Sequence, residues 1–298
     1  MKARAKINIA LEVTGKRGDG YHNLKSVMQT VELYDDIVIK KSPRDKGLFF
    51  SCDDNRLTSD ERNLAYRAAV YMIERYNLNS GIHINLKKNI PISAGLGGGS
   101  SDCAAVIVGL RDLFRLPLSK HELAEIGVRF GADVPFCIFG GTMLAEGIGD
   151  VLTSLPPFPD IYVLLAKPDI EISTAEIFNK FSTEHYCGDT DFGLLIESIR
   201  FKNLRGISNQ MKNALERVTI ARYGIIEKLK IEMMKNGAIG SLMSGSGATV
   251  FGLFENKGDM EITAAMIKQK FHEVKEVIST KIFNSIRLGE EDATTTQN

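Results

Sequence analysis

The sequence predicts an α+β protein of two domains, and three observations carry that reading. Strand-like alternation and helical spacing mix along the chain without the strict strand–helix repeat of a doubly wound sheet. The 298 residues are more than one simple hydrophobic core usually organises. The run LPPFPD at 155–160 gathers three of the chain's eight prolines, just before a new buried strand. The expected division is therefore 1–155 and 156–288. The polar end GEEDATTTQN, 289–298, is expected to be disordered.

Each element follows from local pattern. Residues 6–13 alternate as a strand, and TGKRGDGY at 14–21 is rich in turn residues. Strand-like stretches occupy 27–39. Residues 63–76 have helical spacing, with Leu64, Ala68, Tyr71 and Met72 on one side. Ile82, Ile84 and Leu86 alternate with His83, Asn85 and Lys87, the pattern of a half-buried strand. Helices are expected at 101–114 and 121–130, and a strand at 140–145. After the proline cluster come a buried strand at 161–166, helices around 174–181 and 220–235, a strand at 248–254, a helix at 261–271 and a last strand at 274–282. No internal repeat or low-complexity tract is present.

Composition narrows the function classes. Lysine plus arginine and aspartate plus glutamate both total 37, so the net charge is near zero. That balance, with no arginine-rich or stacking-aromatic stripe, argues against a dedicated nucleic-acid binder or a membrane-surface protein. The apolar runs are too short to span a bilayer. The basic N-terminal run MKARAKINIALEVTG has a short apolar part interrupted by Asn8 and Glu12, and reads as a strand rather than a signal peptide. Cys52, Cys103, Cys137 and Cys187 are scattered without a CxxC pair, as expected of free thiols in a cytoplasmic protein.

The segment PISAGLGGGSSD, 91–102, holds four glycines in five residues, between the amphipathic strand and an apolar helix. A tight strand-to-helix turn needs one or two glycines. Four point to a backbone whose amides face inward, at a helix N-terminus that favours anions, with Ser100 or Ser101 as its cap. The pattern is not a Walker A loop, because no GK[ST] follows. It is not the dinucleotide motif either, because Ser100 stands where the last glycine would fall. Asp191, Phe192 and Gly193 spell the DFG of protein kinases, but no HRD loop or VAIK strand accompanies them, so they read as a turn before a helix.

PISAGLGGGSS resembles the central phosphate loop of the GHMP kinases, the small-molecule kinases named for galactose, homoserine, mevalonate and phosphomevalonate. Two further blocks agree in order: AKINIALEVTGKRGDGYHNL at 5–24 and GSLMSGSGATVFGLF at 240–254. The KRGDGYH segment, with GADVPF at 131–136, resembles one branch of the family. The resemblance implies a two-domain fold, with a ribosomal protein S5 domain 2-like first half and a ferredoxin-like second half. It implies ATP-dependent phosphorylation of the 2-hydroxyl of 4-diphosphocytidyl-2-C-methyl-D-erythritol, in non-mevalonate isoprenoid precursor synthesis.

On that resemblance Asp133 is the aspartate that accepts the hydroxyl proton, and Lys6 is its paired lysine, a cation that stabilises the carboxylate charge and orients the hydroxyl. The ATP site is Pro91, Ile92, Ser93, Ala94, Gly95, Leu96, Gly97, Gly98, Gly99, Ser100 and Ser101, with Asn63 on the adenosine side or capping its helix. Asn8 holds the methylerythritol end from the strand face it shares with Lys6. Tyr21 and His22 hold the cytosine, and Phe178 closes its other side or packs in the core. Ser93 stands where relatives often have glycine. The 244–247 run SGSG brings backbone to the site from the second domain. Magnesium is expected with ATP. Asp102 and Glu146 are candidate ligands, although helix-dipole pairing and a surface charge account for them better. The metal ligands stay unassigned, and a monomer or weak homodimer is expected. Another GHMP kinase, a ligand-sensing relative and an RNA-binding domain are the competing readings. The first should lack KRGDGYHNL, the second should have lost Lys6, Asp133 or the glycine loop, and the third should be basic.

Overall fold

The computed structural model describes residues 1–181 and 188–284. Cys187 and the polar end 289–298 lie outside the described residues. In the first half, β1 (Lys2–Lys16) runs antiparallel to β2 (His22–Ser42). The strand-like stretches expected at 27–39 are one 21-residue strand, the spine of the sheet. Its far half pairs with β4 (Gly81–Lys87) and its near half with β5 (Thr142–Glu146). Two strands absent from the sequence reading complete the sheet: β3 (Gly47–Cys52), parallel to β4, and β6 (Val151–Ser154), antiparallel to β5.

Helices α1 (Leu64–Arg75), α2 (Gly98–Phe114), α3 (Lys120–Val128) and α4 (Val134–Phe139) belong to this half. Their apolar residues form one core with Ile82, Ile84 and Leu86 of β4. The α3 start carries a capping box between Ser119 and Glu122, which fixes it one residue before the expected helix. The six-residue α4 was not legible, being too short for a periodic signal.

The second half forms a four-stranded antiparallel sheet, in the order β10 (Val274–Lys281), β7 (Tyr162–Pro168), β9 (Val250–Phe254) and β8 (Gly240–Met243). With it run α5 (Thr174–Lys180), α6 (Phe192–Arg200), α7 (Leu204–Gln210), α8 (Glu216–Arg222), α9 (Ile225–Lys235) and α10 (Lys257–Lys270). The single helix expected at 220–235 is therefore two. The chain leaves helical geometry at Tyr223, and Gly224 starts α9. Asp191 of the DFG triplet caps α6, its carboxylate accepting the Leu194 N–H at 2.9 Å, as a turn before a helix would.

The two sheets meet through one core. Ala5, Ile7 and Ile9 of β1 pack with Val163 and Leu165 of β7 and with Phe251 and Leu253 of β9. Strand alternation then decides the site. With Ile7 and Ile9 committed to the partner sheet, Lys6 and Asn8 face the opposite side, where α2 begins. Among the described residues no helix is long and apolar enough to cross a membrane.

Candidate active site

The glycine segment joins β4 to α2. Its entry is fixed by Asp35, whose carboxylate accepts the N–H groups of Asn89 at 2.5 Å and Ile90 at 2.8 Å. Leu96 then accepts the Lys6 N–H at 2.9 Å, tying the segment to β1. Two glycines are required by their surroundings. Gly95 has φ +74°, and a β-carbon there would sit 2.2 Å from the Ser244 carbonyl oxygen. Gly97 has φ +68°, and a β-carbon there would stand 3.0 Å from Lys6 Cγ. Ser93 departs from this logic, being a non-glycine residue at φ +53°.

Helix α2 begins at Gly98, inside the glycine run, and not at residue 101. Its N-cap is Gly97, and no side chain caps it. The expectation that Ser100 or Ser101 caps the helix is therefore corrected. Ser101 is buried within the helix, its hydroxyl donating to the Arg4 carbonyl at 2.5 Å. The first-turn amides of a helix have no acceptor of their own, so this uncapped start keeps donors and the positive end of the helix dipole for an anion.

Beside that turn stands the charged pair. Lys6 is buried, at 4% exposure, yet its Nζ donates to Asn8 Oδ1 at 2.8 Å and lies 3.3 Å from Asp133 Oδ2. Asn8 donates onward to Ser26 Oγ at 2.9 Å, and Ser26 donates to the Ala10 carbonyl at 2.7 Å. This chain fixes the Asn8 amide. Asp133 occupies the N-cap position of α4 without making a capping bond, so its carboxylate stays available to Lys6 and to solvent. Its side chain is 31% exposed, so an incoming hydroxyl can reach it.

These groups line one cavity of about 500 Å³, within the usual range for small-molecule sites. Lys6, Asn8, Asp133 and every residue from Pro91 to Ser100 contribute, with Thr174, Phe178, Leu215, Gly245 and Ser246 from the second half. The SGSG run thus reaches the site as expected. The Ser244 hydroxyl donates to the Gly95 carbonyl at 2.9 Å, and the Ser246 hydroxyl lies 2.8 Å from that of Thr174. A larger groove of about 1060 Å³, along α3, α4 and β5, contains none of the predicted site residues.

The remaining predicted residues sit at the margins. His22 is buried, and its ring centroid lies 5.3 Å from that of Phe178, so the two rings touch each other directly. Burial, and secondarily the Lys16 charge, lower the His22 pKa, favouring a neutral ring. Its Nε2 is buried without a partner. Tyr21 is 63% exposed and lies outside the cavity lining, on the turn where Arg17 pairs with Asp19. Asn63 caps α1, its Oδ1 accepting the Ala65 N–H at 3.0 Å, and its Nδ2 is buried with no partner. Asn63 is therefore a cap with a spare donor, next to the lining residue Leu64.

The sequence reading missed Lys88. It lines the cavity, yet its ammonium is buried between Asp35 and Asp102, with 2.7 Å to Asp102. The signal was present, since Lys88 continues the buried series Ile82, Ile84 and Leu86. Burial pulls the Lys88 pKa down, but the charges of Asp102 and Asp35 more than offset this and raise it. Asp102 is pushed up to about 7, first by burial and then by Asp35, against the attraction of Lys88. The helix-dipole account of Asp102 is corrected accordingly: its partner is the buried Lys88. Glu146 pairs with Lys25 at 3.3 Å, near the surface as expected. Among the described residues, no group of three or more His, Cys, Asp or Glu converges as a metal cage.

Comparison with known proteins identifies the family. The model of the GHMP kinases N terminal domain matches residues 63–141, and that of the GHMP kinases C terminal matches 195–273. A 4-diphosphocytidyl-2-C-methyl-D-erythritol kinase of Clostridium botulinum (strain Loch Maree / Type A3) is 45% identical over 273 residues, covering 92% of this chain and 97% of the relative. One from Acetivibrio thermocellus is 47% identical over 257 residues, covering 86% and 90%. A solved 4-(cytidine 5'-diphospho)-2C-methyl-D-erythritol kinase superposes with a TM-score of 0.81 at 30% identity, covering 95% of this chain and 98% of that one. A mevalonate kinase of L. major shares the fold, with a TM-score of 0.75 at 17% identity over 96% of each chain. On the matched family models and the relatives that align over nearly the whole chain, the chain belongs to the GHMP kinase family and is a small-molecule kinase.

Proposed function

We propose that this kinase transfers the γ-phosphoryl group of ATP to the 2-hydroxyl of 4-diphosphocytidyl-2-C-methyl-D-erythritol, a step of isoprenoid precursor synthesis in the cytoplasm. The observation that carries the reading is the convergence, in one cavity, of the Lys6–Asp133 pair with the uncapped first turn of α2. The identity to named relatives over nearly the whole chain supports the choice of substrate.

In this reading 91–100 receives the phosphates, with Gly98, Gly99 and Ser100 offering first-turn donors, while Ser101, its N–H and hydroxyl already bonded to the Gly97 and Arg4 carbonyls, stands behind them. The Asn63 Nδ2 serves the adenosine side. Asn8 and Lys6 orient the acceptor hydroxyl. Its oxygen attacks the γ-phosphorus, the bond from phosphorus to the leaving ADP oxygen breaks, and the hydroxyl proton passes to the Asp133 carboxylate. The neighbouring Lys6 ammonium stabilises charge on Asp133 and on the transferring oxygens.

His22, neutral and with a free Nε2, hydrogen-bonds the cytosine, while Tyr21 and Phe178 cover its faces. Because His22 already touches Phe178, the base lies between Tyr21 and Phe178 and not between His22 and Phe178. Magnesium would arrive with ATP, where it neutralises phosphate charge and draws on few protein ligands. The division at 155/156 and a monomer or weak homodimer belong to the same reading. A coupled ADP-release assay with the cytidyl alcohol, homoserine, mevalonate and galactose tests it. Turnover is expected with the cytidyl substrate alone, and turnover with another alcohol in its place would overturn the substrate assignment.

A further inference from the structure

Behind the site, outside the cavity lining, a polar clasp grips the SGSG turn. The Asn213 side-chain NH₂ donates to two carbonyls, Met243 at the end of β8 just before that turn and Gly245 within it, at 2.8 Å each. Its Oδ1 accepts the Leu215 N–H at 3.0 Å, so the amide is used on both sides and buried at 5% exposure. One turn further, Glu216 Oε1 accepts the Met243 N–H at 2.8 Å, while its other oxygen pairs with Lys230.

The same segment is anchored to the strand that bears the site. Leu11 of β1 donates to the Lys212 carbonyl at 2.8 Å and accepts the Ala214 N–H at 2.9 Å. Asn213 therefore holds the turn with its side chain, while its own backbone neighbours are fastened three residues beyond Asn8. The turn they hold lies against the charged pair: a β-carbon on Gly245 would stand 3.5 Å from both Lys6 Nζ and Asn8 Oδ1.

We propose that Asn213 and Glu216 are positioning residues for phosphoryl transfer, clamping the 244–247 turn at a fixed distance from Lys6 and Asn8. The proposal rests on the kinase reading above. Neither residue touches the cavity, so neither is expected to contact a substrate. Without the clamp, the turn keeps the Ser244 bond to Gly95 but loses its hold on the β1 side, and the buried carbonyls of Met243 and Gly245 lose a donor.

The test compares Asn213→Ser and Glu216→Gln with the wild-type chain, by hydrogen exchange over 240–250 and by steady-state ADP release with ATP and the cytidyl alcohol. Asn213→Ser removes both donors. It is expected to speed exchange at the Ser244 and Gly247 amides by about tenfold or more, leaving β7 and α9 unchanged. It should lower kcat by about tenfold or more while the KM for ATP stays within about threefold, because the glycine segment is intact. Glu216→Gln keeps an acceptor for the Met243 N–H and is expected within about threefold of wild type in both measurements. Unchanged exchange at 244–247, a kcat within about threefold for Asn213→Ser, or an equal loss in Glu216→Gln would each overturn the clamp. Absence of wild-type turnover with the cytidyl alcohol would instead sink the substrate reading, and the exchange measurement would still decide the clamp.

Discussion

Replacing Asp102 with asparagine should change how stability depends on pH, and the structure gives the size. Asp102 is 2% exposed, at the first turns of α2, and shares the Lys88 ammonium with Asp35. Two carboxylates facing one ammonium leave one negative charge in excess, and Asp102 Oδ1 is buried without a partner. Its carboxyl is raised from 3.8 to about 7. Between those values the folded chain binds more protons than the unfolded chain, so stability falls as pH rises from about 4 through about 7. At 1.36 kcal/mol per pKa unit, the loss attached to this group is at most about 4 kcal/mol. The asparagine side chain would still offer Lys88 a carbonyl oxygen but would not titrate. Urea unfolding of both chains between pH 5 and pH 8 reads the difference. The variant is expected to gain on the wild type as pH rises, and to be the more stable chain at pH 8. Two stability curves that run parallel across the range would refute the reasoning.

Ser93→Gly should stabilise the chain. A non-glycine residue in the left-handed region costs about 1–2 kcal/mol, and glycine returns about 0.5–1 kcal/mol of that as unfolded-chain entropy. The expected net gain is about 0.5–1 kcal/mol in urea unfolding, and a loss of stability would contradict it. Phe178→Leu keeps an apolar side chain in the core it borders but removes the ring. The KM for the cytidyl alcohol is expected to rise about three- to tenfold with the KM for ATP unchanged. Equal changes in both constants would assign Phe178 to packing.

The parts legible in the sequence were those with a strong local signal. The glycine segment announced a strand-to-helix passage, and Ile82, Ile84 and Leu86 announced β4 through their period. Lys6 and Asn8 fall on one face because a strand has period 2, and in the fold the Lys6 ammonium reaches along that face to the Asn8 Oδ1. Asp133 and Phe178 could not be brought to Lys6 by any local rule. They lie more than 100 residues away, and their approach depends on how the sheets pack. The start of α2 was misjudged because serine is the better cap by propensity, while here glycine backbone geometry and the Ser101 bond to Arg4 prevail. Lys88 is hidden because a lysine is usually solvated, and its buried partners, Asp35 and Asp102, lie 53 and 14 residues away, beyond the reach of any local pattern. The break at Tyr223–Gly224 was hidden by apolar residues that keep helical spacing across it.

The most direct test of the central claim is the single-turnover rate of ADP formation by Asp133→Asn, with ATP, magnesium and the cytidyl alcohol at saturation. Asparagine keeps the shape and the N-cap position but cannot accept the hydroxyl proton. A fall of about 10²- to 10⁴-fold, with both substrates still bound and the fold intact, is the predicted result. A rate within a few-fold of wild type would show that the Lys6–Asp133 pair does not carry the transfer.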